Sequence, residues 1–305
     1  MVALAGGVGA AKLLRGLVKL VPSDELMIIG NTGDDTELHG LHICPDLDTV
    51  MYTLAGIVDE TKGWGIAGDT FGCLEMLGAL GLETWFKLGD RDLAVHIVRT
   101  KLLREGISLS EVTVELCKML KLETCLVPMT NDSVGTKVVS GQLTMDFQEY
   151  FVKRAAQDTV TDVLFEGAEK AKPTAGIVEG IMKAERVVVC PSNPVLSISP
   201  ILSITPIRNA LKKTDAQVVG VSPIVGGKAL RGPADRIMAS LGLEVSAYGV
   251  ASFYRELLDH LIIDKSDGEQ KAHIEALGMK VTVTDTLMSS LEDSVRLSRV
   301  VMEAE

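Results

Sequence analysis

Aromatic residues, cysteines, long apolar runs and positive charge are all scarce in this chain, and each shortage removes a class of protein. Phe, Trp and Tyr make up only 4% of the 305 residues, while apolar residues reach 47%. The core must therefore be built from Leu, Val, Ile, Ala and Gly, a profile that suits a parallel sheet covered by helices. The five cysteines are Cys44, Cys73, Cys117, Cys125 and Cys190; none forms a C-x-x-C pair. That spacing gives neither a disulfide framework nor a redox motif, and a reduced, cytoplasmic chain is expected. No run reaches the ~18 apolar residues of a membrane span. The short apolar start breaks at once into glycines, so no signal peptide is read. Thirty Lys and Arg against 41 Asp and Glu leave a net charge of −11, which argues against sequence-independent nucleic-acid binding. No G-x-S-x-G elbow is present, which counts against Ser-His-Asp catalysis. His39, His42, His96, His260 and His273 are scattered without zinc spacing.

What is present begins at the first residue. Val2–Ala5 reads as a short buried strand, and Gly6-Gly7-Val8-Gly9-Ala10-Ala11-Lys12 follows it as a glycine-rich turn. Glycines let backbone N–H groups approach a phosphate, and the helix predicted over 9–20 aims its N-terminus at the same place. The motif is neither a P-loop, lacking Gly-Lys-Ser/Thr, nor a full dinucleotide fingerprint, having Lys12 where a third Gly or Ala belongs. The alternative is a turn needed only for tight strand–helix packing.

Strands and helices alternate at both ends of the chain. Strands are predicted at 26–29, 124–128, 160–165, 185–190, 217–221, 261–264 and 279–283, with a hairpin at 135–140 and 142–145. Helices are predicted at 251–259, 269–277 and 286–301. Between about 46 and 122 the pattern is helical: 48–58, 69–80, 90–105 and 110–120, with Asp48, Asp69 and Ser110 as N-caps. The expected architecture is one doubly wound, Rossmann-like α/β domain over 1–305, with a mostly parallel sheet and this helical insertion.

In such sheets ligands bind beyond the carboxyl ends of the strands. Four polar or glycine-rich segments follow strands: Gly6–Lys12, Gly30–Asp35, Cys190–Pro194 and Ser222–Arg231. They are expected to converge. Asn31-Thr32-Gly33-Asp34-Asp35 and Pro45-Asp46-Leu47-Asp48 bring four carboxylates near the phosphate turn, a setting that suits Mg²⁺; solvated turns and a helix cap are the alternatives. Ser192 and Asn193 offer hydroxyl and amide groups. Gly226-Gly227-Lys228, with Arg231, offers N–H groups and positive charge suited to phosphate. Gly63–Thr70, with Trp64, is a loop able to cover a flat ligand. Trp85–Asp92 sets two aromatics beside Lys87, Arg91, Asp90 and Asp92, suited to a planar polar ligand; an ion-paired helix start is the alternative.

In order along the chain, these segments resemble the 2-phospho-L-lactate transferase family, which acts in the synthesis of the deazaflavin coenzyme F-420. The resemblance covers Gly6–Lys12, Asn31–Asp35, Pro45–Thr49, Gly65–Asp69, Trp85–Asp92, Pro191–Pro194 and Val221–Pro233. It implies transfer of a phospholactyl group from lactyl-2-diphospho-5′-guanosine to the ribityl hydroxyl of Fo, a riboflavin-like 5-deazaflavin, giving F-420-0 and GMP. It also implies Mg²⁺ dependence and a homodimer. Related enzymes take a donor derived from phosphoenolpyruvate. The family pattern puts an Fo contact at Asp48, expected here to orient or deprotonate the hydroxyl and to share Mg²⁺ with Asp34. A second contact falls on Lys87, where the pattern often has Arg; lysine keeps the charge without the planar fork. Trp85, Asp90 and Arg91 are assigned with them to the acceptor. Gly6, Gly7, Val8, Gly9, Lys12, Asn31, Ser192, Asn193, Gly226, Gly227 and Lys228 are assigned to the nucleotide. Relatives that bind nucleotide-sugars and regulate metabolism give the alternative reading. A dehydrogenase is disfavoured because strand 26–29 runs into Gly30-Asn31-Thr32-Gly33 in place of the ribose-binding acid and the third fingerprint glycine is missing.

Overall fold

The computed structural model describes residues 1–304. Its centre is a seven-stranded sheet formed by β1 (Val2–Ala5), β2 (Met27–Gly30), β3 (Cys125–Pro128), β4 (Arg186–Val189), β5 (Gln217–Val221), β6 (His260–Asp264) and β7 (Lys280–Thr284). From one edge the order is β3-β2-β1-β4-β5-β6-β7, and every neighbouring pair is parallel. This is the doubly wound order, and the chain reverses direction across the sheet between β1 and β4.

Alternation along the buried strands feeds two cores. Val2 and Leu4 of β1 join Val187, Val189 and Val218 on one face. Ala3 and Ala5 join Val188, Val219 and Ile262 on the other. Helix α1 (Gly7–Leu17) packs there through Leu13, Leu14 and Leu17, all fully buried. The C-terminal helix Leu291–Glu303 lies across it. At their crossing a Cβ on Gly16 would overlap the Ser294 carbonyl, so the close approach requires glycine.

Between β2 and β3 come a hairpin (Thr36–Leu38 and Leu41–Ile43) and four helices: α2 (Pro45–Leu54), α3 (Gly72–Ala79), α4 (Asp90–Arg104) and α5 (Leu109–Met119). Three expected caps change. Helix α2 starts at Pro45, so Asp48 lies inside its first turn. Ser110 lies inside α5, whose capping box is Ser108 with Glu111. Asp69 precedes α3 but accepts the N–H groups of Arg91 (2.8 Å) and Asp92 (3.0 Å) at the start of α4. Asp90 in turn accepts from Gly72 (3.0 Å) and Cys73 (2.9 Å) at the start of α3. The two helix starts are thus cross-capped by carboxylates about twenty residues apart in sequence.

Beyond β3, the strands Gly135–Ser140, Leu143–Asp146 and Asp162–Glu166 form a separate antiparallel sheet. Near the C-terminus the helices are shorter than the periodicity predicts: Ala247–Phe253 replaces 251–259, and a 3₁₀ turn Lys265–Gln270 followed by Lys271–Glu275 replaces 269–277.

Candidate functional site

A cavity of about 790 Å³ opens over the carboxyl ends of β1 and β4, where an open α/β sheet places its ligands. The turn after β1 and the turn after β4 meet at its floor. The Gly6 N–H faces Ser192 Oγ at 3.4 Å. A Cβ on Gly9 would overlap the Pro191 carbonyl, so this glycine is required by the approach of the two turns. Asn193 caps a π-helical turn, Pro194–Ile198, accepting from Val195 and Leu196 through Oδ1. Its Nδ2 is buried with no partner, leaving a donor at the cavity wall for an oxygen ligand. Gly6, Gly7, Val8, Gly9, Lys12, Ser192 and Asn193 all line this region.

Above the glycines sit two buried carboxylates, Asp34 and Asp46. Asn31 lies between them, donating through Nδ2 to Asp34 Oδ1 (3.2 Å) and Asp46 Oδ2 (3.0 Å). Asn31 is fully buried and does not line the cavity; it spaces the acids. Burial pushes the Asp46 carboxyl up to about 7, against hydrogen bonds from Asn31 and the Gly7 N–H. Burial and the charges of Asp46 and Asp35 push Asp34 well above the carboxylate range. Gln148 Nε2 adds a hydrogen bond to the Asp34 carbonyl at 3.2 Å. Two such acids sharing one neutral amide keep a proton unless a cation neutralises them, and this all-oxygen pair fits a hard divalent ion. The expected metal pair was Asp34 with Asp48; the acid brought beside Asp34 is Asp46.

Asp48 points elsewhere. Two residues along a helix differ by about 200° around its axis, so Asp46 faces the glycine turn while Asp48 faces α4. There Arg99 grips both Asp48 oxygens, Nη1 to Oδ2 at 3.0 Å and Nη2 to Oδ1. Burial opposes the guanidinium charge, but Asp48, Cys44 and Tyr52 together hold Arg99 above its ordinary value. Asp48 still lines the cavity, together with Tyr52, Phe86, Lys87, Asp92 and His96.

The remaining expected site residues separate. Trp85, Asp90 and Arg91 do not line the cavity. Trp85 Nε1 donates to Glu83, Asp90 caps α3, and Arg91 Nη1 donates to the Ala67 carbonyl at 3.2 Å. Trp64, by contrast, lines the cavity with Lys62 5.6 Å from its ring centroid. Gly226 and Gly227 form the turn of a small hairpin, Ile224–Val225 with Lys228–Ala229, both glycines at positive φ. The Gly226 N–H is taken by the Asp267 carboxylate at 3.0 Å, and the three residues Gly226, Gly227 and Lys228 lie outside the cavity lining. The hairpin instead delivers Leu230–Ala234 to the wall. Arg231 reaches from there to the Lys62 and Thr61 carbonyls and so straps the two loops together. Burial, then Arg231 and Arg15, lower the Lys12 ammonium, the mark of positive charge gathered beside the glycine turn.

The family model described as CofD, 2-phospho-L-lactate transferase, matches residues 1–297. The chain belongs to the 2-phospho-L-lactate transferase family. A Methanosarcina mazei protein named 2-phospho-L-lactate transferase is 38% identical, with 100% of both chains covered. Proteins named phosphoenolpyruvate transferase from Streptomyces coelicolor and Thermobifida fusca are 43% and 44% identical, covering 98% and 93% of this chain and 96% and 92% of theirs. A crystal structure of a UPF0052-family protein from Bacillus halodurans superposes with a TM-score of 0.65 at 17% identity, covering 99% of this chain and 97% of that one. This supports the fold. Among the described residues no helix is long and apolar enough to cross a membrane.

Sequence reasoning did not single out Gln148, His96 or Arg99 at this cavity, and it placed the metal pair on Asp34 and Asp48. Asp46 was visible as one of four clustered acids. Gln148 and Arg99 meet Asp34 and Asp48 across 114 and 51 residues, which no local pattern reveals, whereas Asp92, His96 and Arg99 share one face of α4 at helical spacing.

Proposed function

We propose that this chain transfers a phosphorylated three-carbon acid from a guanosine diphosphate diester to the terminal ribityl hydroxyl of Fo, releasing GMP. The observation that carries the reading is the single cavity that joins a glycine turn, a buried acid pair and the Asp48–Lys87 wall. The glycine turn, Lys12, Ser192 and Asn193 are assigned to the diphosphate, whose oxygens suit N–H and ammonium donors. Asp34 and Asp46 would hold Mg²⁺, which supplies charge neutralisation to the phosphoryl oxygens when bound. Asp48, its carboxylate fixed by Arg99, orients the attacking hydroxyl, and Lys87 and Phe86 meet the deazaflavin beside it. A cytoplasmic homodimer belongs to the same reading.

The phospholactyl donor is the family-model reading. The names of the Streptomyces and Thermobifida relatives favour a second, the phosphoenolpyruvyl donor. Purified protein with Fo, Mg²⁺ and each donor in turn, followed by chromatography and mass spectrometry, separates them, since the two products differ in mass by two hydrogens. Product from either donor supports the transferase reading. No product from either, with nucleotide-sugars bound instead, replaces it with the regulatory one.

A further inference from the structure

Helix α4 carries a buried polar stripe at Asp92, His96 and Arg99, spaced i, i+4, i+7 on one face. His96 and Arg99 are each 1% exposed and Asp92 is 7%. The stripe and its α2 neighbours pack into one buried polar cluster. Arg99 Nη1 donates to Asp48 Oδ2 and lies 3.1 Å from His96 Nδ1. His96 Nε2 lies 3.2 Å from Asp92 Oδ1. Tyr52 on α2 donates its hydroxyl to that same Asp92 oxygen at 2.7 Å. The Asp92 backbone N–H is itself tied to Asp69. Three charged groups and an imidazole are thus placed in the interior, an arrangement whose desolvation cost a well-packed apolar stripe would avoid. The segment running into the N-terminus of α4 carries Phe86 and Lys87, which line the cavity.

We propose that Arg99 is a positioning residue for the acceptor: held against His96, it fixes the Asp48 carboxylate at the cavity wall in register with Lys87. Arg99 makes a fork that matches both carboxylate oxygens, so it fixes direction as well as charge. His96 Nδ1 lies against Arg99 Nη1, while its Nε2 is buried 3.2 Å from Asp92 Oδ1 without a hydrogen bond, so the imidazole backs the guanidinium. Helix α4 then acts as a rigid yoke between the Asp48 and Lys87 contacts. A misplacement of about 1 Å at such a contact costs on the order of 100-fold in rate. This inference rests on the acceptor reading given above.

The test uses Arg99→Lys and His96→Gln in the full-length protein, alone and combined with Asp48→Asn. Fo affinity is read by its fluorescence, GDP affinity by calorimetry, and kcat and KM at saturating donor. Expected is a loss of about tenfold or more in kcat/KM for Fo, with GDP affinity and donor KM within about twofold. On the Asp48→Asn background either substitution adds little, because its route runs through Asp48. Equal losses toward Fo and GDP, or a full additional loss on the Asp48→Asn background, would overturn the proposal. The Fo-affinity cycle needs no turnover. If the wild type binds Fo and GDP without reaction, the activity reading fails while the coupling is still decided.

Discussion

Replacing Asp46 by asparagine makes the metal-free protein more stable at pH 8, by up to about 4 kcal/mol. Burial holds the Asp46 carboxyl at about 7, against about 3.9 in an unfolded chain. Between those values the folded state keeps a proton that the unfolded state has released. Stability therefore falls as pH rises from about 4 and levels off above about 7. At 1.36 kcal/mol per pH unit, a gap of about three units comes to about 4 kcal/mol by pH 8, of which about 2.5 kcal/mol is lost between pH 5 and pH 8. Burial, then the Asp46 charge, also push the Asp34 carboxyl up, so the substitution relieves that acid as well. In a chain of this length about 2.5 kcal/mol corresponds to about 4 °C in Tm. The Asp46→Asn side chain is a neutral amide with no proton to lose, so the variant's Tm declines less over the same range. In the proposed function a divalent cation takes the place of the proton, so Mg²⁺ is expected to raise the wild-type Tm more at pH 8 than at pH 5 and hardly to move the variant. Scanning calorimetry at both pH values, with EDTA or with Mg²⁺, reads all four conditions. Parallel pH slopes for wild type and variant, or equal Mg²⁺ shifts at the two pH values, would refute the buried-pair argument.

Gly9→Ala drives a methyl group into the Pro191 carbonyl and is expected to cost about 1–3 kcal/mol and to weaken GDP binding; an unchanged Tm and GDP affinity would place the nucleotide away from the β1–β4 turns. Asp48→Asn is expected to lower turnover about 100-fold or more while leaving GDP affinity within about twofold, and wild-type kinetics would remove Asp48 from the reaction. Chelation with EDTA should stop product formation and Mg²⁺ should restore it; full turnover in EDTA counts against the Asp34–Asp46 cation.

Much of this fold is legible because buried parallel strands announce themselves. Arg186–Val189 and Gln217–Val221 are near-continuous apolar runs, and the polar or glycine-rich segments after them mark the ligand edge. What stays hidden depends on partners far along the chain. Asp69 looks like a cap for the helix after it, yet caps α4, because the two helix starts lie side by side in space. Gly226-Gly227-Lys228 has the composition of an anion site, but Asp267, 41 residues away, already takes the Gly226 N–H. The α4 stripe escapes apolar periodicity because its buried face is polar. Asp46 and Asp48 look like one acidic pair in sequence, and only helical geometry separates a face toward the glycine turn from a face toward Arg99. The hairpin Thr36–Ile43 carries too little strand character to be read; its turn rests on His39 and Gly40, both at positive φ.

The measurement that tests the central claim most directly is a fluorescence titration of Fo into the purified protein with GDP and Mg²⁺ present, repeated with Asp48→Ala. Saturable, near-stoichiometric binding that is lost in the variant is the predicted result, since the cavity over β1 and β4 is held to take nucleotide and acceptor together. Absence of Fo binding to the wild type, with guanine or sugar nucleotides still bound, would contradict it.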